Sequence, residues 1–278
     1  MKSVIYYFTG TGNSLNTARI IAKEIGGAEL ISVKQDAKNV PATDADIIGF
    51  ICPIYEWDIP TPMKKFIKEL EINPNAYIFS VVTYIAIHGR CFETIEEILK
   101  LKGTHLHYAK AIRCVASQCT AYNPFPPEKI MTPYSRKKAI STGKKIAQKK
   151  QNKYPKMSPI TRKLYPKMMM PFINIQHEYD KGFYPSEDCI GCGICQKVCP
   201  CHNITMDNKH PVFNHKCIGC NACVVYCPKK AIKFKTPEAY RKLDNIITRK
   251  LKLPDKRKRY HHPNITAQDL MKDKEVIE

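Results

Sequence analysis

Short apolar runs alternate with amphipathic segments through the first half of the chain. The runs are SVIYYF, AELISV, DIIGFI, AYIFSVV and, less cleanly, HLHYAKAIRCV. Between them apolar side chains recur at helical spacing: Leu15, Ala18, Ala22 and Ile25, then Met63, Phe66, Ile67 and Leu70, and later Ile140, Gly143, Ile146 and Ala147. Near-continuous apolar strands separated by helices predict a parallel sheet covered on both faces, a doubly wound α/β unit of about five strands.

From Gln148 to about Gln176 the pattern decays into QKKQNKYPKMSPITRKLYPKMMMPFINIQ. Its lysines and prolines read as a connector, and the prolines are expected to prevent a continuous helix, which also disfavours a membrane-surface role. Beyond it lies an internal repeat: CIGCGICQKVCPCHNI is echoed by CIGCNACVVYCPKKAI, 28 residues separating Cys189 from Cys217. Each copy ends in a short strand candidate. The tail from Thr236 mixes a helical pattern, AYRKLDNIITRKL, with the polar RKRYHHPNIT, and announces no chemistry.

Composition narrows the picture. At 278 residues there is room for one medium and one small domain. Thirteen cysteines, most of them packed between Cys189 and Cys227, with no secretory leader, favour metal ligation in a reducing, cytoplasmic compartment over a disulfide scaffold. No apolar run reaches the roughly 18 residues of a membrane span. The formal charge is +20. Lys137, Lys138, Lys144, Lys145, Lys149 and Lys150 fall between apolar helix positions, so they are expected to form a solvated face. Part of the excess charge can offset anionic cofactors or steer an acidic redox partner. With no zinc finger, helix-turn-helix or RNA-binding aromatic motif, nucleic acid is not an expected partner.

The cysteine repeat carries the sharpest chemistry. Cys189, Cys192, Cys195 and Cys199 before Pro200, and Cys217, Cys220, Cys223 and Cys227 before Pro228, both read C-x2-C-x2-C-x3-C-P. Gly191, Gly193 and Gly219 fall where a backbone must bend around a ligated metal. Zinc is the competing metal, but it asks for four ligands in pairs. The spacing resembles that of the bacterial two-cluster ferredoxins. That resemblance implies one [4Fe-4S] cluster on Cys189, Cys192, Cys195 and Cys227, and a second on Cys217, Cys220, Cys223 and Cys199. Cys52, Cys91, Cys114, Cys119 and Cys201 fit no ligand spacing and are expected in the core.

A second motif, FTGTGNS, follows the first apolar run. A Walker loop would need a Lys after Gly12, and a dinucleotide fingerprint a third glycine where Leu15 stands. What remains is a set of neutral donors at a helix N-terminus, the hydroxyls of Thr9, Thr11 and Ser14, the Asn13 amide and backbone N–H groups, suited to a buried monophosphate. The loop resembles that of the flavodoxins, T-x-T-G-x-[ST], which implies that Thr9, Gly10, Thr11, Gly12, Asn13 and Ser14 hold the phosphate of FMN. Tyr55 and Trp57 after the third strand, and Tyr84 after the fourth, stand where a flavin ring would stack, although Trp57 alone could cap the sheet end. After Tyr84, where flavodoxins fused to ferredoxins carry a glycine pair, Ile85, Ala86 and Ile87 precede His88 and Gly89.

As a whole the chain resembles the flavodoxin-ferredoxin fusions of anaerobic bacteria and archaea. The resemblance implies a flavodoxin-like domain over 1–150, a basic connector over 151–178, a two-cluster α+β ferredoxin domain over 179–236 and a tail over 237–278. It further implies an iron-sulfur flavoprotein exchanging electrons with a redox partner protein. Two other readings stay open, a terminal reductase of a quinone, flavin or metabolite, and a nucleic-acid-binding iron-sulfur module. No catalytic residue is assigned; His88 is a candidate base.

Overall fold

A computed structural model describes residues 1–34, 44–242 and 258–278. The five predicted strands form as β1 (Ser3–Tyr7), β2 (Ala28–Ser32), β3 (Ile47–Pro53), β4 (Tyr77–Tyr84) and β5 (Tyr108–Arg113). They run parallel in the order β2-β1-β3-β4-β5. Helices α1 (Asn13–Glu24) and α4 (Glu128–Ala147) cover one face, α2 (Thr61–Glu69) and α3 (Cys91–Leu101) the other. The apolar continuity of β1 follows: Ile5 and Tyr7 pack with Leu15, Ala18 and Ala139, whereas Val4, Tyr6 and Phe8 pack with Met63, Ile67 and Ile95. Lys137, Lys138, Lys144 and Lys145 on α4, and Lys149 and Lys150 just beyond its end, are all exposed.

The tail departs from expectation. Its last residues form β10 (Lys274–Ile277), which pairs antiparallel with β2 and makes the sheet six-stranded. A four-residue edge strand reading KEVI, with alternate residues exposed, carries too little apolar signal to be seen in sequence. The short helix α9 (Ala267–Met271) precedes it, and Thr266 and Asp269 close a capping box at its start. Arg19 of α1 ties the tail down, donating to Asp269 at 2.7 Å and to Glu275 at 2.6 and 2.8 Å. The helical pattern AYRKLDNIITRKL begins as α8 (Glu238–Lys242); its remainder lies outside the described residues.

That anchor is sensitive to acid. Burial works to raise the Asp269 carboxyl, but hydrogen bonds from Arg19 and Thr266 hold it down to about 2. A depressed carboxylate stabilises the fold above its unfolded pKa, near 3.9, and that contribution is lost as pH falls toward 2. Asp269→Asn is therefore expected to cost about 2 kcal/mol at neutral pH, from a shift of nearly two units. The gap to wild type should close in chemical unfolding curves recorded from pH 4 to pH 2.

The connector is also more ordered than its prolines predict. Residues Pro159–Asn174 form helix α5 with Pro166 and Pro171 inside it. Ser158 caps it by accepting from the Thr161 N–H at 3.1 Å. Most of α5 is exposed or half-buried, Tyr165 being its buried residue, so water can take the carbonyls that the prolines leave unpaired.

A 3₁₀ turn (Gln176–Gly182) leads into the cysteine repeat. Its elements are β6 (Phe183–Pro185), α6 (Ile194–Lys197), β7 (Ile204–Asp207), β8 (His210–Phe213), α7 (Ala222–Val225) and β9 (Ile232–Phe234). β6 pairs with β9 and β7 with β8, both antiparallel. This half is not a separate body: Val198, Val224 and Val225 share one buried apolar cluster with Leu15 and Ile21 of α1 and with Ile265 and Leu270 of the tail. Among the described residues no helix is long and apolar enough to cross a membrane.

Candidate cofactor-binding site

The repeat folds as two copies of one loop. Gly191 and Gly219 occupy equivalent positions with φ of 67° and 69°, and Gly193 and Asn221 do so with φ of 71° and 61°. Asparagine is one of the few side chains that tolerate this backbone. Here its amide also donates to the Gly219 carbonyl at 3.1 Å, bracing the second loop.

The eight cysteines sort into two small cavities. Cys189, Cys192, Cys195 and Cys227 line one, with Ile190, Met206 and Pro228. Cys199, Cys217, Cys220 and Cys223 line the other, with Ile204, Phe213 and Asn221. In each the fourth cysteine comes from the opposite repeat. Backbone N–H groups point at the sulfurs: Ala231 donates to Cys227 at 3.2 Å, Gly219 to Cys217 at 3.3 Å and Asn203 to Cys199 at 3.4 Å. Burial pushes the Cys220 thiol up to about 12 and that of Cys195 to about 11, so charge would build on these sulfurs only beside a cation. Among the described residues no three His, Cys, Asp or Glu side chains are placed to hold a single metal ion. Four thiols, distributed around a space with amides aimed at the sulfurs, suit a multi-iron cluster.

At the carboxyl ends of β1, β3, β4 and β5 lies a cavity of about 500 Å³, within the range of cofactor sites. Thr9, Gly10, Thr11, Asn13 and Ser14 line it, as do Tyr55, Trp57 and Tyr84. Gly12 faces elsewhere: at a φ of 95°, a Cβ there would stand 2.9 Å from Ile265 and 3.0 Å from the Tyr226 hydroxyl. Ile85, Ala86 and Ile87 are part of the wall, whereas His88 is not a lining residue and its Nδ1 pairs with the Gly89 carbonyl at 3.0 Å. Gly89, buried with a φ of 60°, is pinned because a Cβ would collide with the Trp57 carbonyl.

The loop's polar groups brace one another. Thr11 pairs with Ser117 at 2.7 Å and Ser14 with Thr83 at 2.8 Å. Thr9 accepts from the Gly12 N–H at 3.1 Å, and the Asn13 amide donates to the Val115 carbonyl at 3.0 Å. Each hydroxyl pair uses one proton and leaves the other to turn toward a ligand. α1 begins without a side-chain cap or an acidic residue in its first turn, so its leading N–H groups are available to an anion. Residues of this kind fit a phosphate.

The other cysteines of the chain are buried, as expected of core residues, although Cys114 also lines the large cavity and Cys201 the second thiol cavity.

Two sequence families coincide with these parts. Residues 4–117 match the flavodoxin domain, and residues 188–232 match the 4Fe-4S dicluster domain. The chain is a flavodoxin-ferredoxin fusion. Such a fusion is an iron-sulfur flavoprotein of electron transfer. Solved structures similar to its flavodoxin half include a flavodoxin from the domain Archaea, 18% identical over 54% of this chain and 98% of that one, with a TM-score of 0.36. A flavodoxin of Fusobacterium nucleatum bound to flavin mononucleotide is 15% identical over 54% and 100%, with a TM-score of 0.39. An FMN-dependent NADH-azoreductase of Bacillus anthracis is 8% identical over 53% and 100%, with a TM-score of 0.37. No curated protein matches the fusion.

The two halves of the fusion meet at the large cavity, a junction that the sequence did not reveal. Ile218, Gly219, Cys220 and Asn221 of the second cysteine loop form part of its wall. At Gly10 the approach is so close that a Cβ would collide with the Cys220 carbonyl oxygen and stand 3.0 Å from the Tyr55 hydroxyl. Thr120, after β5, joins the halves by donating to Asn221 at 3.2 Å and pairing with the Tyr179 hydroxyl.

The tail clasps the same junction. The His262 N–H donates to the Thr11 carbonyl at 2.8 Å, and His261 stacks on Tyr226 with ring centres 4.7 Å apart. Arg259 donates to the carbonyls of Val224 and Ile232 at 2.9 and 2.8 Å. The polar stretch RYHHPNIT, which announced no chemistry, is thus a clamp across the glycine loop and the cysteine repeat.

Proposed function

We propose that the fusion carries two [4Fe-4S] clusters and FMN in series and passes electrons between them and a carrier protein. Cys189, Cys192, Cys195 and Cys227 would hold one cluster; Cys217, Cys220, Cys223 and Cys199 would hold the other. The loop from Thr9 to Ser14 would hold the FMN phosphate, with Tyr55, Trp57 and Tyr84 around the ring. The domain limits 1–150, 151–178, 179–236 and 237–278 go with this assignment. What carries the reading is the shared wall, in which Cys220 serves both the second thiol cavity and the large cavity. FMN can take up one or two electrons where a cluster takes one, so the pairing would join one-electron carriers to two-electron chemistry. Cys192, the exposed member of the first quartet, marks the side on which a partner would deliver electrons.

Anaerobic isolation followed by iron, sulfide and released-flavin quantitation tests this composition. About eight irons and one FMN per chain are expected. Iron without flavin after reconstitution would reduce the protein to a ferredoxin with an idle α/β partner, and zinc in place of iron would end the proposal.

A second reading, reduction of a small acceptor at the same cavity, is favoured by one observation. Ile85, Ile87, Met168, Met169 and Phe172 give the cavity an apolar wall beyond what a phosphate loop needs. Steady-state turnover with added quinones and no protein partner separates this reading from that of a pure carrier, which shows none.

A further inference from the structure

Among the described residues lining the large cavity, Glu56 bears the only carboxyl, and none is Lys, Arg or His. Its position is fixed by a two-residue turn. The Tyr55 N–H donates to the Asp58 carbonyl at 3.0 Å and the Asp58 N–H to the Tyr55 carbonyl at 2.9 Å. Glu56 and Trp57 between them adopt φ of 44° and 60°, the left-handed pair of a type I′ turn. The turn is anchored below, where the Asp58 carboxylate accepts from Lys64 at 3.1 Å and Thr94 at 3.0 Å. It is anchored above, where the Arg90 N–H donates to the Trp57 carbonyl at 2.9 Å. Two non-glycine residues held with positive φ in a cavity wall mark a turn kept for what its side chains reach.

From this geometry we propose that Glu56 is the group that hands a proton to a quinone-type acceptor reduced in the cavity. The inference rests on the small-acceptor reading above. A quinone takes two electrons and two protons to become the hydroquinone. The two electrons would be supplied one at a time by a one-electron carrier of the ferredoxin class, and the clusters and flavin, when bound, would conduct them. The first proton leaves the Glu56 carboxyl: its O–H bond breaks and a new O–H bond forms on a quinone oxygen. The second proton comes from solvent, and solvent then restores the proton to the carboxylate.

The surroundings suit that role. Burial pushes the Glu56 carboxyl up to about 7, where it can both give and regain a proton at neutral pH. The titratable groups around it are the phenols of Tyr55 on its own turn, Tyr165 of α5 and Tyr240 of α8, which stay neutral there, and the Asp58 carboxylate, which is committed to Lys64. Gln176 donates to Glu56 Oε2 at 3.2 Å, which favours the charged form and checks the upward shift. His88, the base candidate of the sequence, lies outside this wall.

The test pairs turnover of a short-chain naphthoquinone with infrared titration of the carboxyl in flavin-free protein. Wild type should show a carboxyl band that titrates near pH 7, and kcat/KM that falls as pH rises through the same value. In Glu56→Gln the band and that limb of the profile should vanish, with kcat/KM at pH 6 down about a hundredfold. Glu56→Asp should retain part of both. Gln176→Leu removes the donor that favours the carboxylate, so band and limb should move together to higher pH. A Glu56→Gln protein that folds and keeps the wild-type profile overturns the proposal alone; wild-type protein without quinone turnover overturns the small-acceptor reading and the proposal together.

Discussion

Cys220→Ala is expected to leave anaerobically isolated protein with about four irons instead of about eight, and to disconnect what remains from the flavin. Cys220 is one of four thiols around the second small cavity and also part of the wall of the large one. Alanine takes away the sulfur without adding bulk. The first quartet, Cys189, Cys192, Cys195 and Cys227, lines a different cavity and keeps all its members. The variant should therefore retain sulfide and visible absorbance at roughly half the wild-type level. Flavin should be retained, because the loop from Thr9 to Ser14 is untouched, but its reduction by a ferredoxin-type donor should slow at least a hundredfold. Wild-type iron content in this variant would remove Cys220 from the ligand set.

Gly10→Ala should strain the contact between the two halves of the fusion. A Cβ at this position meets a backbone carbonyl, that of Cys220, together with Cys220 Cβ at 3.0 Å. Neither can rotate away as the end of a flexible side chain would. Overpacking of this kind typically costs about 1–3 kcal/mol. In a chain of this size each kcal/mol lowers Tm by roughly 2–4 °C. Either the glycine loop or the cysteine loop must yield, so flavin content, iron content or both should drop along with Tm. A Gly10→Ala protein with wild-type melting and full cofactor content would show that the two loops do not meet as described.

Much of this architecture was legible because it is local. The five parallel strands are apolar on both faces, and a strand such as SVIYY has no other way to be buried. The thiol quartets are set by a spacing that few other chemistries require. What stayed hidden depends on distant partners. β10 reads as an ordinary polar tail until it finds β2, some 245 residues earlier, and His262 becomes a fully packed residue only against Thr11. α5 was obscured for a different reason: Pro166 and Pro171 break the rule for buried helices, but a helix with most of its surface in water can spare those hydrogen bonds. Glu56 was missed because nothing in YEWD tells a solvated turn from one folded over a cavity. The dipeptide signal for a type I′ turn is Asn-Gly or Asp-Gly, and here Glu-Trp adopts it.

The claim at the centre of this account is that electrons cross between the cysteine repeat and the flavodoxin cavity within one chain. Rapid mixing of the fully loaded protein with a limiting one-electron reductant, at several protein concentrations, tests it most directly. The account expects cluster and flavin absorbance to change in one phase whose rate does not depend on protein concentration. A flavin change that lags the clusters and speeds up in proportion to protein concentration would mean transfer between molecules, and would contradict the shared wall at Cys220.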